Sequence, residues 1–438
     1  MSDLAAEAFI YGFPLVFDLQ QVERFTKQGI GSVPAAPFNV FAHAAQLAGP
    51  EARFVSINND TVYSIANVDV SGGPVRFEVP DSHDRYYVMQ FVDAWTNNFA
   101  YVGHRATGTD AGSFLLVAPG WDGEAPADAT VIRFPTAVAT IVGRWAVDGE
   151  ADMPAVRELQ GALKLTPTSA GRGLPKADPA VADDLRFFEQ MRVWLQAFPP
   201  AMRDRDYQQR FEPLGLLADE SPFTDADSEL ATTVRAGVAS GRERMERALR
   251  EGAGSGPAQN GWNLTYHAFD YNLDFFEVGA RDDDEWKMPD GPGRYLGRAL
   301  AARGGLWGNH GYEAAYAMVY IDRDHNELDG DGAYELRFPT PPPCRAFWSV
   351  TMYDTPDFFL VANPIDRYSI GDRTPGLHTE DDGSLTIVMQ RDEPSEPAHR
   401  ANWLPTPPGT FRPILRMYEP EDAVFDGRYA LPPITRTR

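Results

Sequence analysis

The chain has 438 residues, of which 43% are hydrophobic and 12% aromatic, and its formal net charge is -24 at pH 7. This composition excludes disorder for most of the chain, and the length suffices for two or three domains with sizeable cores. So acidic a surface repels nucleic acid and anionic membranes, and we expect neither as a partner. The single cysteine, Cys344, excludes an intramolecular disulfide and a thiolate metal cage.

The chain starts with a predicted helix and arm, together residues 1–50. Apolar side chains recur at roughly helical spacing over 3–28, with a break expected at Pro14 and an end at Gly29. The apolar run 4–16 follows a start without positive charge, so we do not expect an export signal. No apolar stretch reaches the roughly 18 residues of a membrane span. We therefore expect a soluble, cytoplasmic protein.

Residues 51–150 are predicted to form a first β-sandwich. Apolar runs of strand length recur there about every ten residues, separated by turns rich in Gly, Pro and Asp. Many short strands at this spacing are typical of a sandwich or jelly roll. The predicted strands are 53–57, 62–70, 74–79, 86–93, 99–105, 113–118, 130–134 and 137–146.

The next segment, 151–310, changes to helical spacing and is predicted to be a helical insert. Stripes of apolar residues indicate helices over 178–198, 225–249 and 293–306. The Gly-rich segment 252–257 follows a helix and is predicted to be a flexible connector.

The strand pattern returns in residues 311–438, which predicts a second β-sandwich. The predicted strands are 312–321, 333–338, 346–354, 358–362, 384–390 and 412–418. No repeat is visible in the sequence, although the β–α–β order could hide two similar sandwiches. The predicted fold class is mainly β with inserted α: two jelly-roll-like β-sandwiches joined by a helical segment.

A polar turn, Asn59-Asp60, precedes Tyr63 at the start of the first long strand. Buried polar groups need either a partner or a pocket. One interpretation is an Asx turn that starts the strand. The functional alternative makes Asp60 a general base or a metal ligand beside Tyr63, with Asn59 contacting the substrate.

The strand that follows carries Gln90 and Asp93, which strict alternation places on opposite faces unless a bulge intervenes. Asp93 is predicted either to cap the turn at 96–98 or to act in catalysis. The mouth of the first sandwich would suit a small polar organic ligand. Its expected lining is Tyr63, Gln90, Asn98, Tyr101 and Arg105.

Several long strings resemble a bacterial family of two tandem domains. Those resembling domain of unknown function twelve-fifty-four are Asn58-Asn59-Asp60-Thr61-x-Tyr63-Ser64, Asp84-Arg85-Tyr86-Tyr87-x-x-Gln90-Phe91-x-Asp93 and Thr96-Asn97-Asn98-Phe99-Ala100-Tyr101-Val102-Gly103. Those resembling its companion, domain twelve-fourteen, include Arg367-Tyr368-Ser369-Ile370 and Asn402-Trp403-Leu404-Pro405. The resemblance implies tandem jelly-roll-like sandwiches with helices inserted between them, similar to double-jelly-roll viral capsid proteins. It implies no common reaction.

Two arginines among the C-terminal aromatics, Arg367 and Arg416, are candidates for anchoring a carboxylate, which guanidinium binds through two hydrogen bonds. The eight histidines form no His-x-His or His-Glu-x-x-His pattern, so no metal site is predicted. A divalent metal assembled from distant strands would draw on His104 or His310. Both histidines differ from the residues usual in the family that the chain resembles.

These residues favour a small-molecule enzyme without an organic cofactor, acting by acid/base chemistry on a polar or carboxylated metabolite. Asp60 or Asp93 would transfer protons, while Tyr63, Gln90 and Asn98 orient the substrate. The reaction would be of the hydrolase, isomerase or lyase type, since no nicotinamide or flavin fingerprint is present. One alternative is a non-catalytic binding or self-assembling scaffold protein, with a homo-oligomer expected. The other is a metal-dependent oxygenase or oxidase.

Overall fold

The computed structural model describes residues 1–52, 55–250, 258–291 and 293–438. The predicted connector at 252–257 lies outside the described residues. The chain is rich in β-structure, with several sheets and a layer of helices. The helices are α1 (Ser2–Gln28), α2 (His104–Thr107), α3 (Met153–Ala162), α4 (Arg186–Ala197), α5 (Arg205–Gln209), α6 (Glu229–Arg250), α7 (Gly293–Gly305), α8 (Pro397–Ala401) and α9 (Asp422–Phe425).

Two sheets form what we call the N-terminal sheet pair. Its strands are β1 (Ala42–His43), β2 (Thr61–Asp69), β3 (Val75–Val79), β4 (Tyr87–Asp93), β5 (Asn98–Gly103), β6 (Gly112–Val117), β7 (Thr130–Arg133), β8 (Val138–Ala146) and β9 (Lys164–Pro167). One sheet has the order β1-β2-β8-β4-β5 and the other the order β7-β6-β3-β9. Val68 and Phe91 of the first sheet share an apolar core with Phe77 and Leu116 of the second.

The C-terminal sheet pair is built in the same way. Its strands are β10 (Ala258–Gln259), β11 (Trp262–Leu264), β12 (Ala314–Val319), β13 (Tyr334–Phe338), β14 (Cys344–Asp354), β15 (Ser369–Gly371), β16 (Leu385–Gln390), β17 (Trp403–Pro405), β18 (Phe411–Pro420) and β19 (Ile434–Arg436). The sheet orders are β10-β11-β12-β18-β14-β15 and β17-β16-β13-β19. Val350 and Leu415 share a core with Leu336 and Ile387 of the facing sheet.

The two pairs have the same strand order. Adding ten to each strand number of the N-terminal pair gives the C-terminal order, with β10 as one extra edge strand. The parallel pairing of β6 with β7 also recurs in β16 with β17, while the other pairings are antiparallel. The chain therefore contains the same sheet topology twice, a relationship that the sequence did not reveal.

Several elements differ from the prediction. Pro14 lies inside an uninterrupted α1, whose buried face is held against α6 and α7. Residues 358–362 form no strand, and neither do 55–57; residues 53–54 lie outside the described part. The strand predicted over 99–105 ends at Gly103, where α2 begins. Three strands, β9, β10 and β11, lie inside the segment 151–310, which is predicted to be helical. β9 gives no apolar pattern in the sequence, because its residues are mostly exposed.

A layer of helices covers one side of the N-terminal pair. Helices α1, α4, α6 and α7 share an apolar cluster in which Leu15, Phe188 and Val234 are buried. Trp95 and Val138 of the N-terminal pair belong to the same cluster. This layer is built from residues of both the N-terminal helix and the insert.

The two sheet pairs meet across an aromatic interface. Tyr86 and Tyr101 come from the N-terminal pair, and Phe347 and Tyr418 from the C-terminal pair. Phe347 and Tyr418 stack with ring centroids 4.2 Å apart, and Tyr86 meets Tyr418 edge-on at 5.6 Å. Polar side chains from both pairs gather beside these rings.

Candidate functional site at the interface of the sheet pairs

A tyrosine–arginine pair occurs at the same place in each sheet pair. Tyr63 on β2 lies opposite Arg144 on β8, and Tyr316 on β12 lies opposite Arg416 on β18. Because β2 corresponds to β12 and β8 to β18, the duplicated topology brings the two pairs into equivalent positions. Both arginines are buried, with 6% and 4% of their surface exposed, and both tyrosines are half-buried.

Arg144 is held by groups from both halves of the chain. It donates to Gln90 Oε1 at 2.7 Å, to Asn309 Oδ1 at 3.4 Å and to the Trp307 carbonyl at 2.8 Å. These bonds use three of the five N–H donors of a guanidinium. The other two donors have no partner among the residues that the structure describes.

Arg416 has a matching set of partners. It donates to Thr351 Oγ1 at 3.0 Å and to the Ser56 carbonyl at 2.7 Å. Thr351 on β14 and Gln90 on β4 each lie two residues beyond the residue that pairs with the arginine. The two guanidiniums are thus oriented by equivalent strand positions.

The phenol groups of the two pairs are also oriented alike. Asn58 donates to the Tyr63 hydroxyl at 2.9 Å, and Asn309 donates to the Tyr316 hydroxyl at 3.3 Å. Burial raises the pKa of Tyr63, whereas the charges of Arg144 and Arg416 act in the opposite direction. The phenol stays protonated at neutral pH and is available as a hydrogen-bond donor.

A single carboxylate, Asp60, stands beside these groups. It accepts hydrogen bonds from Ser349 Oγ at 2.5 Å and from the Tyr418 hydroxyl at 2.8 Å. The group formed by Asp60, Tyr63, Arg144, Tyr316, Arg416 and Tyr418 is called the tyrosine–arginine cluster below. Within the described residues neither guanidinium forms an ion pair, so two buried cations face one carboxylate. The cluster therefore carries an excess positive charge.

Several residues singled out in the sequence lie in or beside this cluster. Asp60, Tyr63 and Arg416 belong to it, and Gln90 binds Arg144 directly. Asn98 accepts a hydrogen bond from Gln90 at 2.7 Å, and both amides donate to the Gly308 carbonyl.

Asn59 lies at the margin of the interface and is held by local contacts. Its amide donates to the Ala48 carbonyl at 2.6 Å, and its Oδ1 accepts from Ser369 Oγ at 3.1 Å. These two bonds use both the donor and the acceptor of the side-chain amide. Asn59 therefore joins the arm to the C-terminal sheet pair.

Asp93 lies away from the cluster and caps a turn. Its oxygens accept from the Trp95 and Asn97 backbone amides at 2.9 and 2.8 Å and from Asn97 Nδ2 at 2.8 Å. Burial raises the pKa of Asp93. The turn-capping alternative describes these contacts fully.

Tyr101 and Arg105 belong to a second polar group beside the aromatic interface. The Tyr101 hydroxyl lies 3.1 Å from His310 Nδ1, and Arg105 donates to Glu313 Oε2 at 2.6 Å. Burial lowers the pKa of His310 to about 3, so its ring is neutral at pH 7. The residues expected to line one mouth of the first sandwich therefore lie in two separate polar groups, one at the tyrosine–arginine cluster and one around Tyr101 and Arg105.

His104 joins the two sheet pairs at the edge of this second group. Its Nδ1 lies 2.7 Å from Glu419 Oε1, and burial raises the pKa of Glu419. In the described part of the chain no three His, Cys, Asp or Glu side chains converge in a way that could hold a metal ion.

Arg367 is bound to main chain instead of to an acid. Its Nη1 donates to the Ala401 and Trp403 carbonyls, both at 2.9 Å. These bonds tie the loop before β15 to the turn before β17. A carboxylate ligand at Arg367 would have to use its remaining donors.

Arg144, Tyr316 and Asn309 are not among the site residues expected from the sequence. Arg144 lies near the end of β8, every residue of which is buried. A charged residue inside an apolar strand is uncommon without a partner, and this was the available signal. Tyr316 and Asn309 carry no such signal in the sequence, because only the duplicated topology places them at the cluster.

Two family models match the chain. The first, DUF1254, matches residues 38–167, and the second, DUF1214, matches residues 313–422. Each is described as a protein of unknown function. The chain is a tandem DUF1254–DUF1214 protein. The matched segments contain β1–β9 and β12–β18, so each lies within one sheet pair and includes one tyrosine–arginine pair.

A solved structure shares the fold of this tandem protein. The VPA0106 protein from Vibrio parahaemolyticus is 24% identical, with a TM-score of 0.72 and coverage of 100% of both chains. An uncharacterized protein from Burkholderia cenocepacia is 13% identical, with a TM-score of 0.47 over 99% of this chain and 89% of that one. No curated protein matches the sequence. Among the described helices, none combines the length and apolar character needed to cross a membrane.

Proposed function

We propose that the tyrosine–arginine cluster binds a small carboxylated metabolite and that the protein is an acid/base enzyme without an organic cofactor. The observation that carries the proposal is the pair of buried guanidiniums, Arg144 and Arg416, at equivalent positions with only Asp60 close by. A buried cation without a counter-charge is unfavourable. An anionic ligand would supply the missing charge.

The cluster offers groups for each role in such a reaction. Arg144 and Arg416 would anchor the carboxylate of the substrate through their free N–H donors. The protonated Tyr63 hydroxyl would donate to an oxygen on which negative charge develops. Asp60 would accept a proton, since each of its oxygens keeps a lone pair beyond the bonds from Ser349 and Tyr418. Hydrolase, isomerase or lyase chemistry uses such a set.

The proposal also includes jelly-roll-like sandwiches, a cytoplasmic location and a homo-oligomer. Facing sheets that share one core support the sandwich architecture. The net charge of -24 supports a soluble chain. Gel filtration with light scattering measures the oligomeric state directly.

Thermal unfolding in the presence of matched anions and amides tests the binding. Ligands that bind the native state raise the midpoint of unfolding. We expect succinate and acetate to raise it, and their neutral counterparts succinamide and acetamide to leave it unchanged. Equal shifts from acids and amides, or none from either, would contradict a carboxylate site and favour the non-catalytic scaffold.

Two hydroxyl deletions separate the site from general stability. Tyr63→Phe and Tyr316→Phe each remove one oxygen of the cluster and are expected to reduce the succinate shift. Tyr429→Phe is the control, because the Tyr429 hydroxyl donates to the Thr340 carbonyl at the surface. It should keep the full response. Loss of the response in all three variants would argue against the cluster as the site.

A further inference from the structure

A hollow of about 460 Å³ lies in the helical layer, away from the tyrosine–arginine cluster. Helices α1, α4, α6 and α7 or their flanking residues all contribute to its wall. Its volume falls within the range of about 300–1,000 Å³ that is typical of small-molecule sites. None of its lining residues lies in the segments matched by the two family models.

The inner wall of the hollow is aromatic. Phe9, Phe13 and Phe17 follow one another at intervals of four residues on α1, so they form a stripe along one face. The rings of Phe13 and Phe17 stack at 5.2 Å, and Phe187 of α4 lies 4.5 Å from Phe9. Met245 of α6 is buried and closes the wall.

The rim of the hollow carries three arginines, two of which have acidic partners. Arg303 pairs with Glu246 at 3.1 Å, and Arg186 pairs with Asp183 at 3.1 Å. The third, Arg242, is exposed and forms no hydrogen bond or ion pair with any residue that the structure describes. The charge of one guanidinium beside the aromatic wall is therefore left uncompensated.

We propose that this hollow binds a small amphipathic carboxylate, with its apolar chain against the phenylalanine stripe and its carboxylate on Arg242. A partly open aromatic surface gains from contact with an apolar chain. A chain of net charge -24 repels anions in general, so a carboxylate would need a local cation to approach. Arg242 supplies one at the rim. This site is separate from the one proposed at the sheet interface and does not depend on it.

Calorimetric titration of the full chain with octanoate and octylammonium tests this proposal. The two probes have the same apolar chain and opposite charges, so they separate charge recognition from adsorption. We expect octanoate to bind and octylammonium to bind at least about tenfold more weakly, because only the carboxylate gains a charge-assisted bond. Equal affinities, or no binding of octanoate, would overturn the proposal.

Two arginine variants of the same helix locate the site. Arg242→Gln is expected to weaken octanoate binding about tenfold. Arg247→Gln, an exposed residue of α6 that does not line the hollow, should leave it unchanged. Similar losses in both variants would show a general charge effect and overturn the assignment.

A third variant and a mass measurement complete the test. Phe13→Ala should weaken octanoate binding as well, since it removes the centre of the aromatic stripe. Light scattering could instead show that the natural protein is a dimer and that Phe13→Ala dissociates it. This result would mean that a second copy of the chain occupies the hollow, and it would overturn the proposed carboxylate ligand.

Discussion

Arg144 and Arg416 occupy the same position in the two sheet pairs of one chain. Each lies on the strand at the centre of its larger sheet, opposite a tyrosine, and each is held by a side chain from the same position of the neighbouring strand. Within three positions on either side of the two arginines, no residue is identical between the strands. The equivalence comes from the duplicated strand order, and it predicts that matched substitutions in the two halves have matched effects.

Replacing either arginine by lysine should lower the free energy of unfolding. An ammonium group cannot reproduce the fork that joins Arg416 to Thr351 and the Ser56 carbonyl, or the three bonds of Arg144. We expect a loss of about 1–3 kcal/mol for Arg144→Lys and for Arg416→Lys. Urea unfolding measures it.

The control for these lysine variants is Arg391→Lys, because the side chain of Arg391 is half exposed and its one ion pair within the described part of the chain is a contact of 3.8 Å with Asp331. It should be close to neutral. Unchanged stability in Arg144→Lys and Arg416→Lys would mean that the guanidinium fork contributes nothing to the interface.

Two glycines, Gly103 on β5 and Gly371 on β15, should be equally intolerant of alanine. Each pairs with the residue that also pairs with the arginine, and a methyl group would overlap the carbonyl oxygen of Tyr87 or Trp348. We expect each alanine to destabilise the fold by about 1–3 kcal/mol, because the clash is with backbone.

Gly161 provides the matched control for these alanine variants. It lies in α3 with open space around it, so Gly161→Ala should stabilise the protein by up to about 1 kcal/mol. The denaturant midpoints of Gly103→Ala, Gly371→Ala and Gly161→Ala measure these changes in stability. Alanine tolerated at Gly103 or Gly371 would show that the strands can separate there.

Asp18 is expected to destabilise the folded protein at neutral pH. Burial raises its pKa well above the ordinary value of 3.8, and its Oδ1 accepts a hydrogen bond from Trp307 Nε1 at 2.7 Å. The folded state therefore holds a proton that the unfolded state releases, so stability falls as the pH rises above the unfolded pKa. Asp18→Asn keeps an acceptor for Trp307 and removes this loss of stability at neutral pH.

We expect Asp18→Asn to unfold at a higher temperature than the natural protein at pH 7, with the difference shrinking as the pH approaches 4. Asp110→Asn, which replaces an exposed carboxylate, should leave the unfolding temperature unchanged at pH 7 and near pH 4. A variant less stable at pH 7 would indicate that the carboxylate itself is required for packing.

The ion pair between Arg85 and Asp152 should show the opposite pH dependence. Two hydrogen bonds of 2.5 and 2.6 Å join the side chains, and the bond from Arg85 lowers the pKa of Asp152. A lowered pKa contributes stability that is present above the unfolded pKa and is lost as the pH falls through the folded pKa.

Asp152→Asn should therefore cost about 1 kcal/mol at pH 7, and the difference should disappear as the pH falls through the lowered pKa of Asp152. Asp122→Asn, exposed and distant from Arg85 in sequence, serves as the control. Guanidinium chloride would screen the pair, so unfolding in urea at several pH values is the suitable measurement. A difference that does not depend on pH would exclude the ion pair as its cause.

The sequence by itself determined most of the long strands. Alternation and turn residues located β2, β3, β4, β6 and β8 in the first half and β13, β14, β16 and β18 in the second, because a buried strand needs an apolar run and its ends need turn formers. The capping role of Asp93 was also accessible, since its partners Trp95 and Asn97 are two and four residues away. Local chemistry decides such features, and the sequence displays it.

Only the tertiary structure decided how these pieces meet. Asp60 finds its partners Ser349 and Tyr418 across 289 and 358 residues, distances at which no local pattern operates. Short edge strands such as β9 form because a neighbour offers unpaired backbone groups, whatever their own side chains are. The choice of neighbours follows from packing two sheets on a common core, and this choice brings two unremarkable Tyr–Arg pairs to one interface.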